Sequence, residues 1–124
     1  MKSKLYQVFL SEQLVDIALD VVKRLAERER EKIGGRCNVQ FAIMKMKGKD
    51  VKLRKQICQL NGELAYYQVV ANGMREKMAE CKNTECKAKL QNVIANSISQ
   101  IGLVKNKIIA LRQQIGNTRS TTNA

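Results

Sequence analysis

The sequence predicts an all-α protein: a long antiparallel helical hairpin, coiled-coil-like, with a shorter N-terminal helix packed on it. Two observations lead to this fold class. The 124 residues include no proline, so the strongest helix breaker is absent. The apolar residues recur in alternating steps of four and three, which places their side chains on one stripe of an α-helix.

Those steps form two separate ladders of apolar residues. The first ladder consists of Leu53, Ile57, Leu60, Leu64, Tyr67, Ala71, Met74, Met78 and Cys81. The second ladder consists of Leu90, Ile94, Ser97, Ile101, Val104, Ile108, Leu111 and Ile115. A short polar stretch at residues 82–85 separates them, so the two stripes can bury each other if the chain reverses there. We expect helices over about residues 37–82 and 84–115, with Asn83 or Thr84 as the N-cap of the last helix.

The N-terminal helix is expected over about residues 4–32. Its apolar stripe consists of Leu10, Leu14, Ile17 and Val21. The pair Gly34-Gly35 follows, and glycine is the residue that most often terminates a helix. We therefore predict that the first helix stops there and that a second one begins near Arg36.

Gly48 and Asp50 interrupt the pattern of the second helix. Asp50 falls on the apolar stripe, where a carboxylate is out of place. The helix is expected either to kink at residues 48–50 or to restart at Val51 with Asp50 as its N-cap. Gly116 and Asn117 are expected to end the last helix. Residues 118–124 are predicted to form a disordered tail, and residues 1–117 are predicted to form a single helical domain.

Three glycines lie inside the predicted helices but off their main stripes. Gly62, Gly73 and Gly102 should each cost about 1 kcal/mol relative to alanine. Such costs indicate the close approach of another backbone, either the first helix or a second subunit. The alternative is that these glycines occupy exposed positions where the cost is simply tolerated.

Four cysteines are present, and two of them bracket the predicted turn. A helical hairpin would bring Cys81 and Cys86 within reach of a disulfide. Reduced thiols are nevertheless the default expectation, with the disulfide as the alternative, because the sequence shows no secretory signal to imply an oxidising compartment. Cys37 and Cys58 lie far from the turn, and Cys58 is expected to serve as a small apolar residue. Since the chain has no histidine and no pair of cysteines separated by two residues, neither a metal site nor a cofactor is predicted.

The net charge of +12 is unevenly placed along the chain. Residues 36–62 contain seven basic residues and one acidic residue, and residues 86–124 contain six basic residues and no acidic one. Reversal of the chain at residues 83–84 brings these two segments together as a basic pole at the open end of the hairpin. The candidate nucleic-acid-binding residues of this pole are Lys45, Lys47, Lys49, Lys52, Arg54, Lys55, Lys105, Lys107, Arg112 and Arg119. Clustered cations are typical of phosphate contacts, although a solvated coiled-coil face can carry them too.

The sequence thus predicts a non-enzymatic structural or accessory protein that binds nucleic acid without reading its sequence, as in a nucleoprotein or viral particle. Catalysis is not expected, because no imidazole base and no glycine-rich phosphate cradle is present. The alternative is a coiled-coil adaptor or scaffold of a secretion or motor complex that binds an acidic protein. Surplus apolar surface predicts a homo-oligomer. No apolar run is long enough to span a membrane, and the expected location is the cytoplasm or an intracellular or viral particle.

Overall fold

The computed structural model describes residues 13–44 and 48–122, and these form three α-helices. Helix α1 spans Gln13–Met44, α2 spans Lys49–Met78 and α3 spans Thr84–Thr122. No strand occurs in these described residues, so the prediction of an all-α fold is confirmed. Helix α2 packs extensively against both α1 and α3, which makes it the central helix of the three.

The two apolar ladders form the interior of the fold. Every ladder position, from Leu53 to Cys81 and from Leu90 to Ile115, is buried or half-buried. Met74 of α2 and Leu90 of α3 are almost completely inaccessible to solvent, and they belong to a core cluster that also includes Val22 and Ala26 of α1. The four–three spacing therefore identified the core-facing stripes of α2 and α3 correctly, as expected for amphipathic helices.

Helix α1 differs from its predicted extent. It continues through Gly34 and Gly35 to Met44, where the sequence predicted a stop, and its 32 residues make it longer than α2. Two helical glycines cost about 2 kcal/mol relative to alanine, but they do not block the helical conformation. Burial beyond the glycine pair offsets this cost, because Cys37 is fully buried and Phe41 is half-buried.

The face of α1 that packs on α2 is also not the predicted stripe. The buried residues are Val15, Val22 and Ala26, whereas Ile17 and Val21 are about half exposed. Leu10 lies outside the described residues. Both sets of apolar residues have helical spacing, so α1 carries two apolar faces, and the sequence pattern alone does not say which of them meets α2.

A break separates α1 from α2 at Gly48, within the range 48–50 where a kink was predicted, whereas the alternative of a restart at Val51 with Asp50 as its N-cap is wrong. Gly48 is the N-cap of α2, with φ of 132°, a left-handed value that residues with a Cβ rarely adopt. Asp50 lies in the first turn of α2 and makes no capping hydrogen bond. Its Oδ1 atom is buried and has no hydrogen-bond partner within the described part of the chain. The negative charge still lies at the favourable, positive end of the helix dipole.

A tight turn joins α2 to α3. Helix α2 ends at Met78 rather than at Lys82, because the amides of Glu80 and Cys81 donate to the carbonyls of Lys77 and Met78, three residues earlier. Asn83 is the N-cap of α3: its Oδ1 atom accepts a hydrogen bond of 2.7 Å from the amide of Cys86.

The C-terminal end of α3 extends beyond its predicted limit. The helix passes through Gly116 and Asn117 and continues to Thr122, so residues 118–122 are helical rather than a disordered tail. Burial of Ile115 immediately before the glycine anchors this last stretch to the rest of the fold. Residues 123–124 lie outside the described residues.

Two glycines of α2 mark where α1 approaches most closely. A Cβ atom at Gly73 would lie 2.7 Å from Cγ1 of Val22, and one at Gly62 would lie 3.3 Å from the carbonyl oxygen of Arg30. The predicted close approach of another backbone is thus confirmed at Gly62, whereas the neighbour of Gly73 is the side chain of Val22 in the same helix α1. Gly102 has nothing within 4 Å of its notional Cβ, which matches the alternative of an exposed site.

Arg30 adds a polar connection at the same α1–α2 interface. Its guanidinium donates to both carboxylate oxygens of Glu27, at 2.6 and 2.5 Å, and lies 5.0 Å from the centroid of the Tyr66 ring. The hydrogen bond that Arg30 donates to Glu27 raises the pKa of Arg30 above its usual value, and the guanidinium that lies over the Tyr66 ring is charged.

Candidate anion-binding groove

The ten candidate cations do not form one uniform patch. Six of them are exposed side chains on α2 and α3: Lys52, Arg54, Lys55, Lys105, Lys107 and Arg112. Lys45 and Lys47 lie outside the described residues, as do the side chains of Lys49 and Arg119. The six described cations divide between two concave surfaces and the flanks beside them.

One concave surface brings two arginines together from different helices. A groove of about 470 Å³ is lined by Arg54, Ile57, Cys58 and Asn61 of α2, Arg112 and Ile115 of α3, and Gln40 and Phe41 of α1. We call it the arginine groove. It contains two guanidinium groups, two side-chain amides and one aromatic ring around an apolar floor, which is the mixture of groups that small ligand sites typically offer.

The electrostatics of the arginine groove favour an anion. No carboxylate lines it, and within residues 13–44 and 48–122 neither Arg54 nor Arg112 has an ion-pair partner. Asp50, one turn before Arg54 in α2, is the nearest acidic residue in the sequence and does not line the groove. Two uncompensated guanidinium groups present paired donors in the planar arrangement that phosphate oxygens accept.

The second concave surface also contains a candidate cation but is less suited to anions. It is a groove of about 410 Å³ between α2 and α3, lined in part by Gln56, Leu60 and Leu111. Lys107 lines it together with Glu63, whose carboxylate opposes the binding of a negative group. Lys52 lies on the same face of α2 as Gln56, one helical turn earlier. The structure thus separates Lys107 from Arg54 and Arg112, although all three were predicted to belong to one basic pole.

A disulfide that sequence reasoning missed borders the arginine groove through Cys58. Cys37 of α1 is bonded to Cys58 of α2, with a Cα–Cα distance of 5.9 Å. The bond fixes the last turns of α1, including Gln40 and Phe41, against α2. The expectation that Cys58 serves only as a small apolar residue is wrong. The first helix was predicted to stop at Gly34-Gly35. Cys37 was therefore not expected to lie on the face of that helix that meets α2.

The other two cysteines are joined at the turn. Cys81 and Cys86 form a disulfide with a Cα–Cα distance of 5.7 Å, and both residues are buried. All four cysteines are therefore engaged in disulfides. Within the described ranges, no group of histidine, cysteine or acidic side chains is arranged to hold a metal ion.

Comparison of the chain with protein-family models, with curated proteins and with solved structures finds no match. Among residues 13–44 and 48–122, no helix is long and apolar enough to cross a lipid bilayer.

Proposed function

We propose that this protein is a non-enzymatic nucleic-acid-binding protein that contacts phosphates in the arginine groove without reading base sequence. The observation that carries the proposal is that Arg54 and Arg112, from two different helices, line one groove that contains no carboxylate. Guanidinium pairs bind phosphate oxygens through charge-assisted hydrogen bonds. The exposed cations beside the groove, such as Lys55 and Lys105, add a longer-range attraction for a polyanion.

The proposal includes an antiparallel arrangement of α2 and α3, which places the two basic segments at one end. Three pairings support it. Cys81 is bonded to Cys86, Leu60 shares a groove with Lys107, and Arg54 shares a groove with Arg112. Positions earlier in α2 are therefore matched with positions later in α3, which is the order that a hairpin requires.

Phe41 favours a single-stranded ligand over a duplex. Its half-buried ring lines the groove beside the two arginines. An unpaired base can stack on an aromatic side chain while cations hold the adjacent phosphates, whereas the bases of a duplex are already stacked on each other. We therefore expect binding of single strands of many sequences, with RNA and DNA as comparable ligands.

The first test is a binding measurement on paired variants. Arg54→Gln with Arg112→Gln should weaken binding of a fluorescent random-sequence single strand about ten-fold or more in an anisotropy titration. Because each lost phosphate contact removes roughly 0.7 from the salt slope of a single strand, the slope should fall by about 1.4 between about 50 and 200 mM salt. Helicity, measured by circular dichroism, should not change.

A matched control removes the same charge elsewhere. Arg75→Gln with Lys87→Gln changes two exposed cations near the α2–α3 turn and should reduce affinity much less. Equal weakening by both pairs would mean that only net charge matters, and the groove would then have no special role. Absence of binding by the native protein at low salt would exclude the nucleic-acid function. Capture of an acidic protein that resists nuclease treatment would favour the adaptor function instead.

The two disulfides bear on where this binding takes place. Disulfides persist in oxidising surroundings and are rare in a reducing cytosol. Of the two locations expected from the sequence, the cytoplasm and an intracellular or viral particle, we propose the particle or another compartment that preserves the disulfides. Alkylation of the protein immediately on isolation, followed by mass measurement, should detect no free thiol. Four alkylated cysteines would contradict this location.

A further inference from the structure

The part of α1 that follows Gly34 and Gly35 is attached to the rest of the fold by few side chains. We call residues 36–42 the α1 extension. Within it, Cys37 is buried and Phe41 is half-buried, and the other side chains are exposed. Glycine is unfavourable inside a helix, and neither glycine has an atom within 4 Å of its notional Cβ position. The helical path through the glycine pair therefore depends on the contacts of Cys37 and Phe41.

The Cys37–Cys58 disulfide is the covalent part of this attachment. It joins the α1 extension to α2 with a Cα–Cα distance of 5.9 Å. Phe41 lies four residues after Cys37, on the same face of α1, and lines the arginine groove. The bond thus holds the Phe41 ring beside the two arginines, where it can stack on an unpaired base.

The two sulfur atoms of this disulfide differ in their access to solvent. Cys37 is fully buried, whereas Cys58 is half-buried and lines the arginine groove. The other disulfide joins Cys81 and Cys86, which are both buried. Reduction of a disulfide requires a thiolate to reach and attack one of its sulfur atoms. Sγ of Cys58 is therefore the sulfur that a reductant reaches most easily.

The charge of the arginine groove favours this attack. The attacking thiolate is an anion, and Arg54 and Arg112 line the groove together with Cys58, whereas no carboxylate does. Guanidinium groups attract such an attacker, and they also stabilise the thiolate form of a neighbouring cysteine. The cations that hold a phosphate thus also favour opening of the disulfide, and a strand bound to these cations opposes it.

We propose that the Cys37–Cys58 disulfide is a redox switch of the arginine groove, which holds a single strand when oxidised and releases it when a dithiol reduces the bond. The switch depends on the proposed function, because the ligand that it releases is the strand bound in this groove. The oxidised state belongs to the compartment that preserves disulfides, and release belongs to a reducing one.

The reduction proceeds by two exchange steps. One thiolate of the dithiol bonds to Sγ of Cys58, and the S–S bond breaks with its electron pair on Sγ of Cys37, which takes up a proton. The second thiol of the dithiol then loses its proton and attacks the mixed disulfide, so that Cys58 leaves as a thiolate. The protein disulfide gains two electrons, and the dithiol loses two as it closes into a cyclic disulfide.

Reduction should release the α1 extension from α2, because less then offsets the cost of the glycine pair. Phe41 leaves the groove with the extension, whereas Arg54 and Arg112 stay on α2 and α3. Affinity should fall about ten-fold, a factor within the range of one base–aromatic stack. The salt slope should change little, since the phosphate contacts remain.

The first experiment needs no nucleic acid. The oxidised full chain is treated with dithiothreitol under native conditions, samples are alkylated at intervals, and peptide masses identify the modified cysteines. Cys37 and Cys58 should be alkylated first, and Cys81 and Cys86 later. A random-sequence single strand, added in a parallel sample, should slow alkylation of the first pair only. Earlier or equally fast alkylation of Cys81 and Cys86 would overturn the proposal.

The second experiment compares the affinity of the two redox states by anisotropy titration with the same single strand. The reduced chain should bind about ten-fold more weakly while most of the helical circular dichroism signal persists. Cys81→Ser with Cys86→Ser should keep this response, whereas Phe41→Ala should lose it, because its oxidised form already lacks the ring. Equal affinity of the two native states would remove the switch alone, and absence of binding by the oxidised chain would remove the proposed function as well.

Discussion

At the scale of single residues, the contact between Gly73 and Val22 sets how closely α1 and α2 approach. Val22 is buried and β-branched, so its methyl groups cannot rotate away from a new atom at Gly73. A Cβ atom 2.7 Å from Cγ1 of Val22 requires the helices to move apart. The glycine thus allows the core around Met74 to close.

Gly73→Ala and Gly102→Ala should change stability in opposite directions. Overpacking at Gly73 should lower the free energy of unfolding by about 1–2 kcal/mol, even after the gain in helix propensity. Gly102 has open space at its notional Cβ, so alanine there should raise the free energy of unfolding by about 0.5–1 kcal/mol. Urea titrations followed by circular dichroism measure both. Stabilisation by Gly73→Ala would contradict the close contact.

A second substitution tests whether the effect of Gly73→Ala arises from its contact with Val22. Val22→Ala removes the methyl groups that obstruct a Cβ atom at position 73, so the double variant should be more stable than the sum of the two single effects implies. Additive losses would mean that Gly73→Ala acts through something other than Val22.

At the scale of elements, α1 shows what local sequence signals can and cannot predict. The core-facing residues of α2 and α3 were predictable because each of these helices has a main apolar stripe that runs along its length. The continuation of α1 past Gly34 and Gly35 was not, because glycine pairs terminate many helices and the compensating burial of Cys37 depends on α2. The usable signal was the four-residue spacing of Ile33, Cys37 and Phe41, which continues the α1 face that meets α2.

The arginine groove was predictable only in part, because some of its lining comes from the extension of α1 that the sequence did not predict. Arg54 and Arg112 were identified from charge clustering, because both lie in strongly basic segments. Gln40, Phe41 and the Cys37–Cys58 bond were not identified, since they reach the groove only through the extended α1. Charge is a property of segments and can be read from sequence, whereas the wall of a groove depends on tertiary packing.

Substitution of the glycine pair distinguishes a continuous helix from an interrupted one. Gly34 and Gly35 have no atom within 4 Å of their notional Cβ positions, so Gly34→Ala and Gly35→Ala should each raise the free energy of unfolding by about 0.5–1 kcal/mol. Urea titrations of each variant give this value. If α1 instead ended in a left-handed glycine cap, one of the two alanines would destabilise the protein.

At the scale of the whole molecule, two disulfides and one long-range ion pair connect the three helices. Cys37–Cys58 joins α1 to α2, and Cys81–Cys86 closes the α2–α3 turn. Lys89 of α3 donates to Asp16 of α1 at 2.5 Å, but both side chains are well exposed, so this pair adds little to stability. The covalent links therefore carry most of the constraint beyond the apolar core.

Removal of the two disulfides should cost unequal amounts of stability. In the chain-entropy treatment, the longer loop closed by Cys37–Cys58 contributes about 3 kcal/mol and the short loop closed by Cys81–Cys86 about 2 kcal/mol. Paired serine substitutions, compared by urea titration, should follow this order. Only the first pair should also weaken binding in the arginine groove, because Cys58 lines that groove. The reverse order, or equal loss of binding, would contradict this assignment.

The Cys37–Cys58 bond also determines what a protease can release. A single cut between these two cysteines opens the backbone but leaves both pieces covalently attached across the α1–α2 interface. The nicked protein should keep its size on a gel run without reductant and separate into two fragments once thiol is added. Limited digestion would therefore cut the backbone between α1 and α2 while the Cys37–Cys58 disulfide still holds the two helices together.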